Sequence, residues 1–226
     1  MKRIILITVS LTFSMFFIFV SCDNEKTEER VLPIFGQYDI SYRMENGKEI
    51  GDTVYPQVPS FKFLNQDSVW IQKEDFKDKL LIVDFMFTHC PSICPTMTSN
   101  MKMLAESTAD LNDQVQFISF TIDPDRDTPS EFRKYIKERD IVAKNWTFLT
   151  GDEQETYGLA FDYFYVGVQR SDDPEEDFLH DDKFVLVDKE GYVRGFYEGT
   201  KKEQMNLLEK DLRKLLKHEY DYPAKN

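Results

Sequence analysis

Positive charge is scarce in this chain: 28 lysines and arginines stand against 41 aspartates and glutamates, a formal net charge of −13 over 226 residues. That balance excludes a nucleic-acid surface, which needs a basic face for the phosphates. It also works against adhesion to anionic lipid and favours basic or cationic partners. Histidine is nearly absent, with His89, His180 and His218 the only three, and cysteine is confined to Cys22, Cys90 and Cys94. No internal repeat is visible, which excludes a solenoid. What remains suits one domain, because about two hundred residues with this many aromatics can bury one good core.

The two neighbouring cysteines lie in Phe85-Met86-Phe87-Thr88-His89-Cys90-Pro91-Ser92-Ile93-Cys94-Pro95. Leu80 to Phe87 is apolar apart from Asp84, the pattern of a central strand buried on both faces, and such strands place chemistry at their C-terminal ends. Pro95 suits the first turn of a helix, and Met97, Met101, Leu104 and Leu111 follow at helical spacing, predicting a helix over Thr96 to Leu111. Cysteines at a helix N-terminus meet free N–H groups and the positive end of the macrodipole, so at least one sulfur is expected to be unusually acidic. Three intervening residues, one more than in Cys-x-x-Cys, let both sulfurs face one ion. The pair can close as a disulfide, or stay reduced and offer two soft thiolates suited to Cu(I) or Zn(II). A third ligand must then come from elsewhere. His180, in Asp177-Phe178-Leu179-His180-Asp181-Asp182 ahead of a strand over Lys183 to Asp188, is the candidate; the bland alternative is a surface histidine among acids. His89 points away from Cys90 in an extended segment, and His218 falls in a polar helix.

The remaining elements frame this motif. Gln37 to Arg43 alternates, with Tyr38, Ile40 and Tyr42 on one face, towards a turn at Glu45-Asn46-Gly47, an accessory hairpin. Ser60 to Leu64 and Val69 to Ile71 form a second hairpin, and Gln114 to Ile122 completes a strand, helix, strand crossover. The loop Asp123 to Pro129 has acids at positions one, three and five, yet Thr128 and Lys134 stand where a calcium loop needs Gly and Glu. Thr128-Pro129-Ser130-Glu131 instead caps a helix running through Glu138. As the end of a neighbouring strand the loop borders the cysteines, which leaves Asp123 a minor site-facing option. Trp146 to Leu149 is a strand, and a helix runs from Asp152 towards Tyr163. The cluster Phe161, Tyr163, Phe164 and Tyr165 reads as core, and Ser171 to Asp177 as an acidic surface loop. Lys183 to Asp188 and Tyr192 to Tyr197 flank the turn Lys189-Glu190-Gly191. Lys201 to Tyr220 is an amphipathic helix with Met205, Leu208, Leu212, Leu215 and Leu216 inward. The order is α/β and thioredoxin-like, a central mixed sheet flanked by helices, with an N-terminal accessory hairpin.

Phe87-Thr88-His89-Cys90-Pro91-x-x-Cys94-Pro95, then Asp123-Pro124-Asp125-Arg126-Asp127-Thr128-Pro129, then His180 before Phe184-Val185-Leu186-Val187-Asp188, resemble the Sco/SenC family in order and spacing. The likeness runs from about Pro59 to the C-terminal helix. It implies a copper-handling, thioredoxin-like protein that assists assembly of cytochrome c oxidase, with copper held by Cys90, Cys94 and His180. Many members carry an acid where this chain has Ser92, and often Ser where it has Asp181, so the charge around the site departs from theirs.

Met1-Lys2-Arg3 and the apolar run Ile4 to Val20 look like a bacterial export signal, and Phe19-Val20-Ser21-Cys22 resembles a lipobox. Residues 1–21 are then a lipoprotein signal peptide, 22–33 an anchor at Cys22 with a flexible tether, and 34–226 the copper-binding domain. An uncleaved membrane helix and simple secretion are the alternatives. Losing Lys2 and Arg3 with the signal takes the net charge from −13 to −15. The expected setting is the bacterial cell envelope, the domain facing the periplasm or exported space and reaching the membrane through its lipid.

Three functions fit: a copper chaperone for the copper-binding subunit of the oxidase, a thiol-disulfide reductase for that subunit's cysteines, or a copper or redox sensor. A purely structural disulfide would close too short a loop to remove much chain entropy. Thioredoxin-like reductases usually hold a cis-proline where this chain has His180-Asp181-Asp182, which favours the chaperone. Its partners would be the oxidase subunit, a thiol reductant and other copper chaperones.

Overall fold

The computed structural model describes residues 31–171 and 178–222. The signal-like run, Cys22, and most of the acidic loop, residues 172–177, lie outside the described residues. Within them the strands are β1 (Asp39–Glu45), β2 (Lys48–Val54), β3 (Lys62–Asn65), β4 (Trp70–Gln72), β5 (Leu80–Met86), β6 (Val115–Thr121), β7 (Trp146–Thr150), β8 (Val168–Arg170), β9 (Phe178–His180), β10 (Lys183–Val187) and β11 (Val193–Glu198). The helices are α1 (Cys94–Ser107), α2 (Pro129–Glu138), α3 (Glu153–Gly158) and α4 (Lys202–His218).

Seven strands form one mixed sheet in the order β11-β10-β5-β6-β7-β3-β4. β5, β6 and β7 are parallel, and the strands outside them run antiparallel to their neighbours. This is the thioredoxin-like α/β architecture that the sequence predicts. Every residue of β5 and β6 is buried, as a central strand covered on both faces requires. Phe85 and Phe120 stack at 5.4 Å, and Phe63 and Phe164 close on Phe120 and Phe85 at 5.2 and 5.6 Å. α1 and α4 lie side by side, joined where Ser107 donates to Glu209 and Arg213 to Asp110. The five inward residues expected of α4 are all buried.

Several boundaries differ from expectation. The first helix stops at Ser107, because the Thr108 hydroxyl bonds back to the Leu104 carbonyl at 2.8 Å and the chain re-forms as a separate 3-10 turn over Ala109–Leu111. The helix after Asp152 is α3 for only six residues and then widens into a π-helical turn, Leu159–Tyr163. That rotation explains why the aromatic cluster is not all core: Phe164 is buried, Tyr163 and Tyr165 are half-buried, and Phe161 is exposed. The β3–β4 hairpin expected from the sequence is present and sits at the sheet edge beyond β7. A further two-stranded hairpin, β8–β9, which no local pattern predicts, flanks the acidic loop.

At the end of the sheet where β5 begins, Arg194 is fully buried. It donates to Asp188, to both carboxylate oxygens of Glu219, and to the carbonyls of Leu32 and Pro33. These charge-assisted bonds tie the chain at Val31–Pro33 to the β10–β11 turn and to the end of α4.

Candidate metal centre

The opposite end of β5 delivers the cysteines. Phe87 follows the strand, the loop turns at Cys90, and Cys94 is the first residue of α1. One buried carboxylate fixes that loop. Asp127 accepts the Thr88 amide at 3.0 Å and the Thr121 hydroxyl at 2.6 Å, and the Thr88 hydroxyl as well. Burial raises the Asp127 pKa while these donors act against it. Asp127 therefore carries the loop's link to the site, whereas Asp123, the minor candidate from sequence, is buried and paired with Arg126. Its signal was present in Asp123-Pro124-Asp125-Arg126-Asp127, but nothing in sequence spacing told which acid turned inward.

His180 arrives from the other side as the last residue of β9. Alternation along Phe178-Leu179-His180 puts Phe178 and His180 on one face, with Leu179 exposed. The Phe87 ring lies 4.9 Å from Phe178 and 5.9 Å, edge-on, from the imidazole. Arg126 and Arg170 cover Phe178 at 5.9 and 5.1 Å. Behind His180, Asp181 accepts the Gly167 amide at 2.9 Å and the Lys183 ammonium at 2.7 Å. Burial opposes its ionisation, but these two bonds together with the nearby charges hold its pKa below the usual value. The negative charge of Asp181 is thus neutralised locally by Lys183.

Cys90 Sγ, Cys94 Sγ and an imidazole nitrogen of His180 all lie within 4.8 Å of one another. Both thiols are free and both residues are buried, while His180 is half-buried. Nδ1 of His180 is 3.1 Å from the Asp181 carbonyl. A carbonyl only accepts, so Nδ1 carries a proton, and Nε2 is the nitrogen that faces the sulfurs and any metal between them. Nε2 stands 3.4 Å from Cys94 Sγ. Donors at about 2.3 Å (sulfur) and about 2.0 Å (nitrogen) from one tetrahedral ion are themselves about 3.5 Å apart, so the pair fits a common centre with little movement. Two soft sulfurs and one imidazole suit copper better than a hard cation. The other two histidines are elsewhere, as expected: His89 is half exposed and bonded to Thr88, and His218 ends α4.

The two sulfurs differ in character. The Cys94 thiol donates to Cys90, which lowers the Cys90 pKa strongly; burial opposes this, and His180 and Ser92 assist. Ser92 Oγ lies 3.6 Å from Cys90 Sγ, so the hydroxyl found in place of an acid offers that thiolate a donor. Cys94 is pushed up by the same bond and by its burial. One sulfur is acidic as the sequence suggests; its partner thiol is the leading cause, and the backbone amide of Cys94 at the start of α1 adds to it. Asp84, which in the sequence is only the break in an apolar run, lies buried in β5. It accepts the Ser119 hydroxyl at 2.6 Å, and Trp146 Nε1 donates to that hydroxyl at 2.9 Å. Burial lifts it to about 7, with the Ser119 bond pulling the other way.

Known proteins share this arrangement of chain. The SCO1/SenC family matches residues 52–217. The SCO1 protein homolog of Bacillus subtilis is 34% identical over 155 residues, 68% of this chain and 80% of its own. An SCO2-like protein of Rickettsia felis is 30% identical over 212 residues, 92% of this chain and 95% of its own. Among solved structures, a SCO1/SenC family lipoprotein from Bacillus anthracis is 31% identical, with a TM-score of 0.65 over 70% of this chain and 94% of that one. BsSco, described as a member of the Sco family of cytochrome c oxidase assembly proteins with a disulfide switch, is 31% identical, with a TM-score of 0.62 over 70% of this chain and 91% of that one. With most of its length matched and the paired cysteines and the histidine drawn together at one end of a thioredoxin-like sheet, the chain belongs to the SCO1/SenC family.

Proposed function

We propose that this protein is a membrane-tethered copper chaperone of the bacterial cell envelope, which carries copper on Cys90, Cys94 and His180 to the copper-binding subunit of cytochrome c oxidase. The observation that carries the reading is the convergence of two free sulfurs and an imidazole nitrogen within 4.8 Å. Copper is the cargo. Three donors leave one side of the ion open for an incoming ligand, which exchange between proteins requires. The decisive experiment mixes the Cu(I)-loaded protein with a copper-free soluble domain of the oxidase subunit whose cysteines are already reduced. Copper is expected to move to the acceptor, where a reductase would have nothing to do. Retention of copper by the donor, with rapid reduction of the acceptor only when it is presented as a disulfide, would establish the reductase instead. That second reading draws on the acidic Cys90 thiolate beside a protonated Cys94, the arrangement in which one sulfur attacks a partner disulfide and the other releases it.

Tethering is part of the same proposal, with the lipid on Cys22 and residues 23–30 as the spacer. The Val31 amide donates to Glu219 and Arg194 donates to the Leu32 carbonyl, which holds this part of the chain at the end of the sheet where β5 begins, away from the cysteines at its other end. A tether leaving there would turn the metal site away from the membrane. Mass spectrometry of the mature protein should find a diacylglyceryl group on Cys22, absent after Cys22→Ser; an unmodified N-terminus at another residue excludes the anchor.

A further inference from the structure

Cys90 and Cys94 are only 6% and 1% exposed, so an ion arriving from outside has little direct access to either sulfur. His89, the residue before Cys90, is placed differently. The Cys90 amide donates back to the Phe87 carbonyl at 3.3 Å, closing a turn with Thr88 and His89 at its corners. Successive side chains in such a turn are not forced to opposite sides as they are in an extended segment. The His89 side chain is 46% exposed.

The donors around this turn fix where its protons lie. Thr121 Oγ1 accepts the Asp123 amide at 2.9 Å and donates to Asp127 at 2.6 Å. The Thr88 amide donates to the same carboxylate oxygen, and the Thr88 hydroxyl donates to the other. All three converge on Asp127 as on an ionised carboxylate, which only accepts. The Thr88 hydroxyl has a single proton and gives it to Asp127, so towards His89 Nδ1, 2.9 Å away, it can only accept. Nδ1 therefore carries a proton. Nε2 lies on the far edge of the ring, with no bonding partner among the described residues. Hydrogen bonding of one ring nitrogen in this way fixes the orientation of a metal-binding histidine and raises the basicity of the other nitrogen.

We propose that His89 Nε2 is an outer copper ligand, a transient donor through which the ion enters and leaves the site formed by Cys90, Cys94 and His180, and that Thr88 and Asp127 aim it. The inference rests on the copper reading above and adds a step to it. In the neutral imidazole, Nε2 offers a lone pair to copper. The ion then passes inward by ligand exchange: its bond to Nε2 breaks as a bond to the Cys90 thiolate forms. Copper keeps its oxidation state throughout, and the Nδ1 proton stays on the ring. The two residues are adjacent, their Cα atoms about 3.8 Å apart, so the exchange needs only local motion of the turn. Such a donor stabilises an intermediate rather than the loaded state. It speeds uptake and release together and leaves affinity to the inner three ligands.

The test mixes the reduced full-length protein, at about pH 8 where an ordinary imidazole is neutral, with Cu(I) held by a weak colorimetric chelator, and follows uptake by stopped flow. His89→Gln keeps an N–H for Thr88 but has no imidazole donor. It is expected to take up copper at least about tenfold more slowly, the low end of what loss of an outer-shell group costs. Release to a strong chelator should slow in step, so that equilibrium affinity changes much less than either rate. Thr88→Val, which cannot accept from Nδ1, should approach His89→Gln, whereas Thr88→Ser should keep wild-type rates. Should Thr88→Val fail to fold, His89→Gln decides alone. His218→Gln, at the exposed end of α4, is the control. A direct reading comes from His180→Ala oxidised to the disulfide, which lacks all three inner donors. Substoichiometric Cu(II) should broaden the His89 ring resonances in its NMR spectrum well before those of His218. Wild-type uptake with an equally fast His89→Gln, equal broadening of both histidines, or affinity lost in proportion to the uptake rate overturns the entry ligand and leaves the chaperone reading intact. No uptake by the wild type removes both.

Discussion

Oxidation of Cys90 and Cys94 to a disulfide is expected to abolish Cu(I) binding. Forming the bond removes two electrons and two protons from the pair, and the product has neither the negative charge nor the strong sulfur donation that a soft ion requires. The two sulfurs are free and buried together beside His180, so closure needs only a local approach of the loop before α1. His180 alone supplies a single nitrogen, which cannot hold Cu(I) against a competing chelator. Titration of the oxidised protein with Cu(I) in the presence of a colorimetric chelator should show no uptake, and a dithiol reductant should restore one equivalent. Stoichiometric uptake by fully oxidised protein defeats the proposed site. In an oxidising compartment loading would then depend on a thiol reductant as a partner, because reduction precedes metal binding.

His180→Ala is expected to separate the two oxidation states of copper. Cu(I) is satisfied by two thiolates, whereas Cu(II) prefers further nitrogen or oxygen donors in a tetragonal arrangement. Removing Nε2, 3.4 Å from Cys94 Sγ, should therefore weaken Cu(II) binding by at least the roughly 10 to 100-fold typical of an outer-shell change, with a much smaller loss for Cu(I). The fold should survive, because Phe178 still anchors β9 against Phe87 at 4.9 Å. Cycling of Cys90 and Cys94 with dithiol reagents should continue, since neither sulfur is touched. Competition assays for each ion, with the electron paramagnetic resonance signal of the Cu(II) form, supply the readout. Equal Cu(II) affinity in mutant and wild type, or full support of oxidase assembly under copper limitation, would move the weight to thiol-disulfide exchange.

The residues of the candidate site are legible in the chain itself. Two cysteines three apart after an apolar strand, and a histidine ahead of another, are local patterns whose chemistry depends on residue type and spacing. The parallel crossover from β5 through α1 to β6 is legible for the same reason. Local pattern stops informing where partners are distant in the chain. The β8–β9 hairpin that carries His180 has only three residues per strand, too few for periodicity to speak, and it is fixed by Phe87 and Arg126 from other elements. The same kind of pattern assigns Phe161 to the core, where a π-helical turn instead faces it outward.

Sequence alone determined the type of donor, the strand and helix that present Cys90 and Cys94, and an acidic balance unsuited to nucleic acid, because all three are properties of neighbouring residues or of composition. Tertiary structure decided that Asp127 rather than Asp123 secures the cysteine loop, that the Cys94 thiol chiefly acidifies Cys90, and that Tyr38, Ile40, Tyr42 and Met44 remain uncovered. Each of these turns on which groups share a low-dielectric space after folding. At the site that space joins Cys94 to a histidine 86 positions further along the chain, a meeting that no local spacing encodes.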